Sequence, residues 1–262
     1  MLQVCVGHKP PIVQASGAYI FVGPASCGIE GELIVPEDCL GETFDGKILS
    51  EYLQLFWITR AIKNGTFLYA GDHIHFFQYR KFISEQVGQL TSKAVPYSSI
   101  CSPLESVQYF PTQEYLQNVE KQGAMMISRP LALGRSIAEN YARHHFAEDF
   151  SAWAVALSLQ PDFPPGRVDS FMNCPLLIPS PSLSVVKGRE FVEIMVVLER
   201  VWKSFFKYFY KPRQGYQRRV GGFLLERLHS FLVVEAIARG SIRPMFGHYF
   251  TVVCDGDIVP TV

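Results

Sequence analysis

A helical stretch with almost no polar face, followed by an aromatic strand that runs into fixed positive charge, is the strongest constraint this chain places on its fold. Leu49, Tyr52, Leu53, Phe56 and Arg60 fall on helical spacing, and Leu55, Trp57, Ile58, Ala61 and Ile62 fill the remaining sides. A helix that is apolar nearly all round belongs deep in a core. Asp45 is placed to cap its start, and Asn64-Gly65 supplies a left-handed stop. Residues 73–79, His-Ile-His-Phe-Phe-Gln-Tyr, are aromatic and strand-like, and Arg80-Lys81 follows where the chain would leave the sheet. In an α/β enzyme such a strand end can hold a phosphate-bearing ligand.

The rest of the chain alternates in the same way. Short apolar runs at 2–6, 18–22, 33–35, 124–128, 174–179 and 242–254 read as strands, and helical patterns cover 136–145, 149–159, 187–210 and 223–238. Residues 91–123, rich in Ser, Pro and Gln, read as an excursion around a cleft, and Asp162-Phe-Pro-Pro-Gly166 as a helix stop. No linker and no internal repeat divides the pattern, so the 262 residues are expected to form a single domain, an α/β fold with a mixed sheet. Lys plus Arg and Asp plus Glu both number 24, which gives no global field to attract nucleic acid or an anionic membrane. Local clusters such as Lys211 to Arg219 remain as docking patches. Six cysteines without a C-x-x-C pair or matching histidines argue against structural zinc and read as reduced core thiols. The start of the chain lacks a basic-then-apolar leader pattern and no run of about 18 apolar residues marks a membrane span, so a cytoplasmic protein is expected.

Four segments carry residues able to do chemistry. His8 and Lys9, in Gly7-His8-Lys9-Pro10, follow the first strand, where ligands of open α/β sheets collect; a plain turn is the competing reading. In Gln78-Tyr79-Arg80-Lys81, a guanidinium beside an ammonium could neutralise a diphosphate without metal, or could be a solvated strand end. His144, His145, Glu148 and Asp149 offer a base or metal ligands, or first-turn charges that favour the following helix. Arg218-Arg219-Val-Gly-Gly222-Phe-Leu-Leu-Glu226 combines glycines that let the backbone approach a ligand with a carboxylate at a helix start; the alternative is a tight loop with Glu226 paired to an arginine. Asp255-Gly-Asp257 looks like a carboxylate pair for metal, but a turn at this position is the commoner reading.

Taken in order, these segments resemble a bacterial glycosyltransferase-like family found with capsule and lipopolysaccharide genes. An early H-K-P appears as His8-Lys9-Pro10. A helix of the form E-L-T-x-x-Y-W-x-W-K-N appears as Glu51 to Arg60, and a strand of the form G-L-x-H-Y-R-R-Y-F as His75 to Phe82. A Y-x-x-x-H-x-x-E-D segment is Tyr141 to Asp149, an N-M-F-I-M strand is Asn173 to Ile178, and R-x-x-G-F-L-x-E-R-L is Arg219 to Leu228.

The resemblance implies a GT-A-like fold, with a mixed, mostly parallel sheet flanked by helices. It also implies transfer of a sugar from a nucleotide-sugar donor to a surface-glycan or lipid-linked acceptor, with peripheral contact at the inner membrane as a further expectation. Glu226 first and Asp149 second would be the base, and His8, Lys9, Gln78, Tyr79, Arg80, Lys81, Arg219 and Gly222 would handle the donor. No D-x-D follows the strand at 73–79, so no metal or other cofactor is implied, and Arg80 with Lys81 would stand in for the ion. The family's His before Tyr-Arg is Gln78 here, and its second Arg is Lys81. The competing expectation is a binding protein of a polysaccharide assembly that keeps the fold without turnover.

Overall fold

The computed structural model describes residues 1–36, 38–40, 46–66, 73–88, 90–91 and 97–254. The expected cap Asp45 and the pair Asp255 and Asp257 lie outside these residues.

The chain is built around a long sheet. Strands β1 (Leu2–Val6), β2 (Ile20–Gly23), β3 (Leu33–Ile34) and β4 (His73–Gln78) form its first half. The remainder comes from β5 (Lys81–Ser84), β6 (Leu90–Thr91), β7 (Ser99–Cys101), β8 (Met125–Ser128), β11 (Ser184–Lys187) and β12 (Pro244–Val252). The order is β3-β2-β1-β4-β11-β8-β12-β7-β6, with β5 bridging β12 and β4. A small separate ladder joins β9 (Leu131–Ala132) to β10 (Leu176–Leu177).

Strands β3, β2, β1 and β4 run parallel, as do β8, β12 and β7, whereas β11 and β5 pair antiparallel to their neighbours. The sheet is therefore evenly mixed rather than mostly parallel. Because β5 hydrogen-bonds both β12 and β4, the strands β4, β11, β8, β12 and β5 close into a small ring. The reason is local: Tyr79 and Arg80 form a turn instead of an exit from the sheet, so Lys81 opens a new strand opposite Gln78.

The apolar helix is present but broken. Helix α1 (Gly46–Leu49) stops at Ser50, which takes φ 54°, and α2 (Tyr52–Lys63) resumes after Glu51. Tyr52, Leu53, Leu55, Phe56 and Ile58 are buried, as the all-round pattern requires. The expected stop holds: Gly65 has φ 69°, and the N–H groups of Gly65 and Thr66 donate back to Ile62 and Ala61.

Residues 102–121, expected as an excursion, form α3 (Pro103–Tyr109) and α4 (Gln113–Lys121), capped by Ser102 and Thr112. Helices α5 (Ile137–His144) and α6 (Ala147–Ser158) match expectation, and α7 (Pro165–Met172) begins where only a stop was read. The long helix is α8 (Gly188–Tyr208), and a 3-10 turn at Gly215–Arg219 leads into α9 (Val220–Ala238). Helices α2, α8 and α9 pack with α6 into the largest apolar cluster, through Phe56, Leu198, Trp202, Leu224 and Trp153. All six cysteines are thiols; Cys5, Cys101 and Cys174 are buried, while Cys27, Cys39 and Cys254 are partly exposed.

Candidate functional site

The parallel pairing of β1 with β4 sets Val6 opposite Gln78, so the segments that follow both strands emerge side by side. Gly7 permits this closeness, since a Cβ there would sit 3.1 Å from the Cβ of Tyr79. The His8 ring meets the Tyr79 ring edge-on at 5.0 Å, and the Arg80 guanidinium lies 5.5 Å from the same ring. The Nε of Arg80 is buried without a hydrogen-bond partner. Burial first, and then the charges of Lys9, Arg219 and Arg80, depress the His8 pKa below the ordinary histidine value, against the pull of Glu51. Four predicted donor-binding residues, His8, Lys9, Arg80 and Arg219, thus converge electrostatically although they come from three separate parts of the sequence.

A second layer of this site holds carboxylates. Helix α9 is buried nearly all round: from Val220 to Val233 Glu226 is the one residue that is not buried. The backbone N–H of Ser180 donates to Glu226 Oε1 at 2.9 Å, and the Ser180 hydroxyl donates to the phenol oxygen of Tyr249 at 3.3 Å. The Ser182 hydroxyl donates to Glu51 at 3.1 Å. Lys81 faces this group, with its Nζ 5.9 Å from the Tyr249 ring centre. Its pKa is raised by Tyr249 above all, with further help from Glu51 and Glu226 and against the cost of burial. Lys81 is therefore held among a phenol and two carboxylates of the protein, which leaves Arg80 as the more available cation of the pair.

Ser50 and Ser180 are the two non-glycine residues with positive φ among the described residues, at 54° and 44°. Both hold polar groups of this site: Ser180 binds Glu226 and Tyr249, and the Ser50 hydroxyl accepts from Arg219 Nε at 3.0 Å. Backbone strain concentrated in this way is characteristic of functional positions. Two exposed tyrosines flank the carboxylates. Tyr97, 46% exposed, packs 5.9 Å from the Tyr249 ring; Tyr216, 57% exposed, packs 5.0 Å from Phe223, which is one helical turn before Glu226.

Four other residues singled out from the sequence make contacts within the chain. Asp149 is buried and its two oxygens take Arg213 at 2.9 and 3.2 Å, while Arg213 also pairs with Glu148 and lies over Phe146. Both oxygens of Asp149 are thus held by one guanidinium, in a two-pronged pair. The close approach that Gly222 allows is to the chain itself: a Cβ there would meet the Ser50 hydroxyl at 2.6 Å. Gln78 is a half-buried strand end, set opposite Val6 and Lys81 in the sheet. His145 is held by Gln217 and stacks on Phe223 at 4.1 Å; burial lowers its pKa to about 4.

Sequence reasoning assigned no role to Glu51, Ser50, Ser180, Ser182, Tyr97, Tyr216 or Tyr249. Glu51 stood inside a matched motif; the others lie in segments whose proximity only the fold creates. Two surface depressions of about 480 and 510 Å³ lie elsewhere, one along α5 at Arg135 and Arg143 and one between α8 and α9 at Ile194 and Leu232. Neither contains a predicted site residue.

No family model matches the sequence, and no curated protein matches it. A solved structure does: the WbbM bifunctional glycosyltransferase in its apo form superposes with a TM-score of 0.75 at 16% identity, over 100% of this chain and 47% of that one. The two share a fold. This chain spans about half the length of that protein, so the likeness concerns one portion of a two-activity molecule.

Proposed function

We propose that the protein is a glycosyltransferase of GT-A-like architecture that moves a sugar from a nucleotide-sugar donor to a hydroxyl of a bacterial surface glycan. The observation that carries this reading is the joining of a cation cluster to a strained carboxylate site: His8, Lys9, Arg80 and Arg219 beside Glu226 and Glu51. The fold likeness to a glycosyltransferase supports it.

In the proposed reaction, the acceptor oxygen attacks the anomeric carbon as the bond to the departing diphosphate breaks, and Glu226 accepts the proton of the acceptor hydroxyl. Ser180 N–H orients one Glu226 oxygen, and the carboxylate's second oxygen is available for that proton. Arg80, with its unpartnered Nε, and Lys9 and Arg219 stabilise the charge that develops on the leaving nucleoside diphosphate. These fixed cations take the part a divalent ion plays in other sites, which makes the proposed transfer metal-independent. Tyr97 and Tyr216 give the acceptor side exposed ring faces on which a sugar can lie.

A panel of nucleoside-diphosphate sugars read by thermal shift and by sugar transfer tests the proposal. We expect one donor to raise the melting temperature and to be turned over onto a glycan acceptor. In Glu226→Gln the same shift should persist while turnover falls on the order of a hundred- to ten-thousandfold. Unchanged transfer in that variant would remove Glu226 as the base. The engagement of Asp149 by Arg213 and the Gln78 replacement favour a second reading, a donor-binding protein without turnover; a donor-induced shift with no transfer by the wild type would establish it.

A further inference from the structure

Three hydrogen bonds in series span the site, and Glu51 stands at their centre. Arg219 Nε donates to the hydroxyl of Ser50, the residue before Glu51, at 3.0 Å. The Ser182 hydroxyl donates to Glu51 Oε1 at 3.1 Å, and two residues earlier the Ser180 N–H donates to Glu226 Oε1 at 2.9 Å. Two residues of chain reach no further than about 7 Å, so one short segment ahead of β11 carries both carboxylates. Across the cleft the order is therefore Arg219, Glu51, Glu226. Electrostatics repeat it. The charge of Glu51 is felt at His8, where it opposes burial and the cations, and at Lys81, where it adds to Tyr249. That of Glu226 is felt at Lys81 and, after burial and Tyr249, at the exposed Tyr97.

In a displacement the transferred sugar lies between the leaving diphosphate and the base. Glu51 occupies that interval. It sits at the cap position of α2, yet its side chain makes no cap hydrogen bond, so the carboxylate serves the cleft rather than the helix end. It is half-buried, and its Oε2 accepts no hydrogen bond among the described residues. An ionised carboxylate only accepts hydrogen bonds, which suits it to the hydroxyls of a sugar. Lys9, Arg80 and Arg219 are the cations assigned to the diphosphate, and Lys81 is held by Tyr249. Two carboxylates thus face one ammonium where the sugar would lie.

We propose that Glu51 is a specificity-determining residue of the donor site: it takes hydroxyls of the transferred sugar and, with Glu226, excludes sugars that carry a carboxylate, so the donor sugar is neutral. The inference rests on the proposed transfer reaction and adds to it the charge class of the donor. A uronate in this interval would set an acceptor-only group against two others and bring like charges together in a partly desolvated cleft.

Isothermal titration of the full chain tests it with uridine diphosphate glucose against uridine diphosphate glucuronate, guanosine diphosphate mannose against guanosine diphosphate mannuronate, and both bare nucleoside diphosphates. In the wild type the neutral member of at least one pair is expected to bind about tenfold or more tightly than its uronate. Glu51→Gln should cut that preference to about threefold, the part left to a solvent-screened Glu226, whereas Glu51→Asp, which keeps the charge, should retain most of it. Affinity for the bare diphosphate and the circular dichroism should be unchanged in both variants, which separates a changed preference from a damaged fold. Equal or tighter binding of the uronate would overturn the proposal. So would an undiminished preference in Glu51→Gln, or refusal of both neutral donors by a chain that binds a bare diphosphate. Failure to bind any of the six compounds would instead remove the donor site itself, and the proposed function with it.

Discussion

Arg80 and Lys81 are adjacent in sequence and have opposite surroundings. The Arg80 guanidinium rests against Tyr79 with a buried, unpartnered Nε, whereas Lys81 is drawn to Tyr249, Glu51 and Glu226. The two should therefore fail differently. Arg80→Ala is expected to weaken donor binding by about 1.5–3 kcal/mol, or roughly ten- to a hundredfold, as loss of a charge-assisted hydrogen bond does. Arg80→Lys should restore only part of it, because an ammonium cannot reproduce a two-pronged contact with a diphosphate. In Lys81→Met, donor affinity should hold while turnover falls, since the cation lost is the one facing the proposed base. Isothermal titration with the donor identified in the panel separates these effects, and equal loss of affinity in Arg80→Ala and Lys81→Met would contradict the division. The sequence showed the two cations but could not divide them, because Tyr249 lies about 170 residues away in the chain and reaches Lys81 only through β5–β12 pairing.

At the scale of elements, strands and long helices were legible because their periodicity is local. Strands β1, β4 and β8 and helices α2, α5, α6 and α8 appear near their expected places. The misses were of two kinds. Helices α3 and α7 carried readable start signals, the capping box Ser102 to Glu105 and a Pro at the first turn of α7, inside segments rich in Ser and Pro that resemble loop. The break between α1 and α2 had no such signal, since the contacts of Ser50, a hydrogen bond from Arg219 and a close approach to Gly222 on α9, come from far along the chain. The glycine pair on α9 shows how tight that contact is. A Cβ at Gly221 would lie 2.8 Å from the Trp202 ring and 2.9 Å from the Ile48 carbonyl, while one at Gly222 would meet mainly the movable Ser50 side chain. Gly221→Ala is thus expected to destabilise by about 1–3 kcal/mol through overpacking against backbone. Gly222→Ala should cost less stability but displace the Ser50 hydroxyl from Arg219. Urea denaturation of both variants checks the order, and a larger loss in Gly222→Ala would show that the α1–α9 contact is looser than its geometry.

At the scale of the whole molecule, the fold carries a pH liability independent of the site. His75 and His229 are buried, and burial lowers the pKa of each from the ordinary 6.5 to about 3. His75 lies among Phe77 and Phe110, with ring centres 5.7 and 5.4 Å away, and its Nδ1 lacks a hydrogen-bond partner. Both rings are neutral in the folded chain and gain a proton freely only when unfolded. A depressed folded-state pKa contributes stability that is present above the unfolded value and is lost as pH falls from about 6.5 toward about 3. At pH 5 each such histidine costs on the order of 2 kcal/mol relative to neutral pH, taking about 1.4 kcal/mol per pH step below the unfolded value. The unfolding free energy should therefore drop between pH 7.5 and pH 5. His75→Phe, which suits the aromatic surroundings, should reduce that drop by about one histidine's share. Chemical denaturation of wild type and variant at both pH values measures it. An identical pH dependence in the two proteins would mean that His75 accepts its proton in the folded state, and that the ring of phenylalanines around it opens to water.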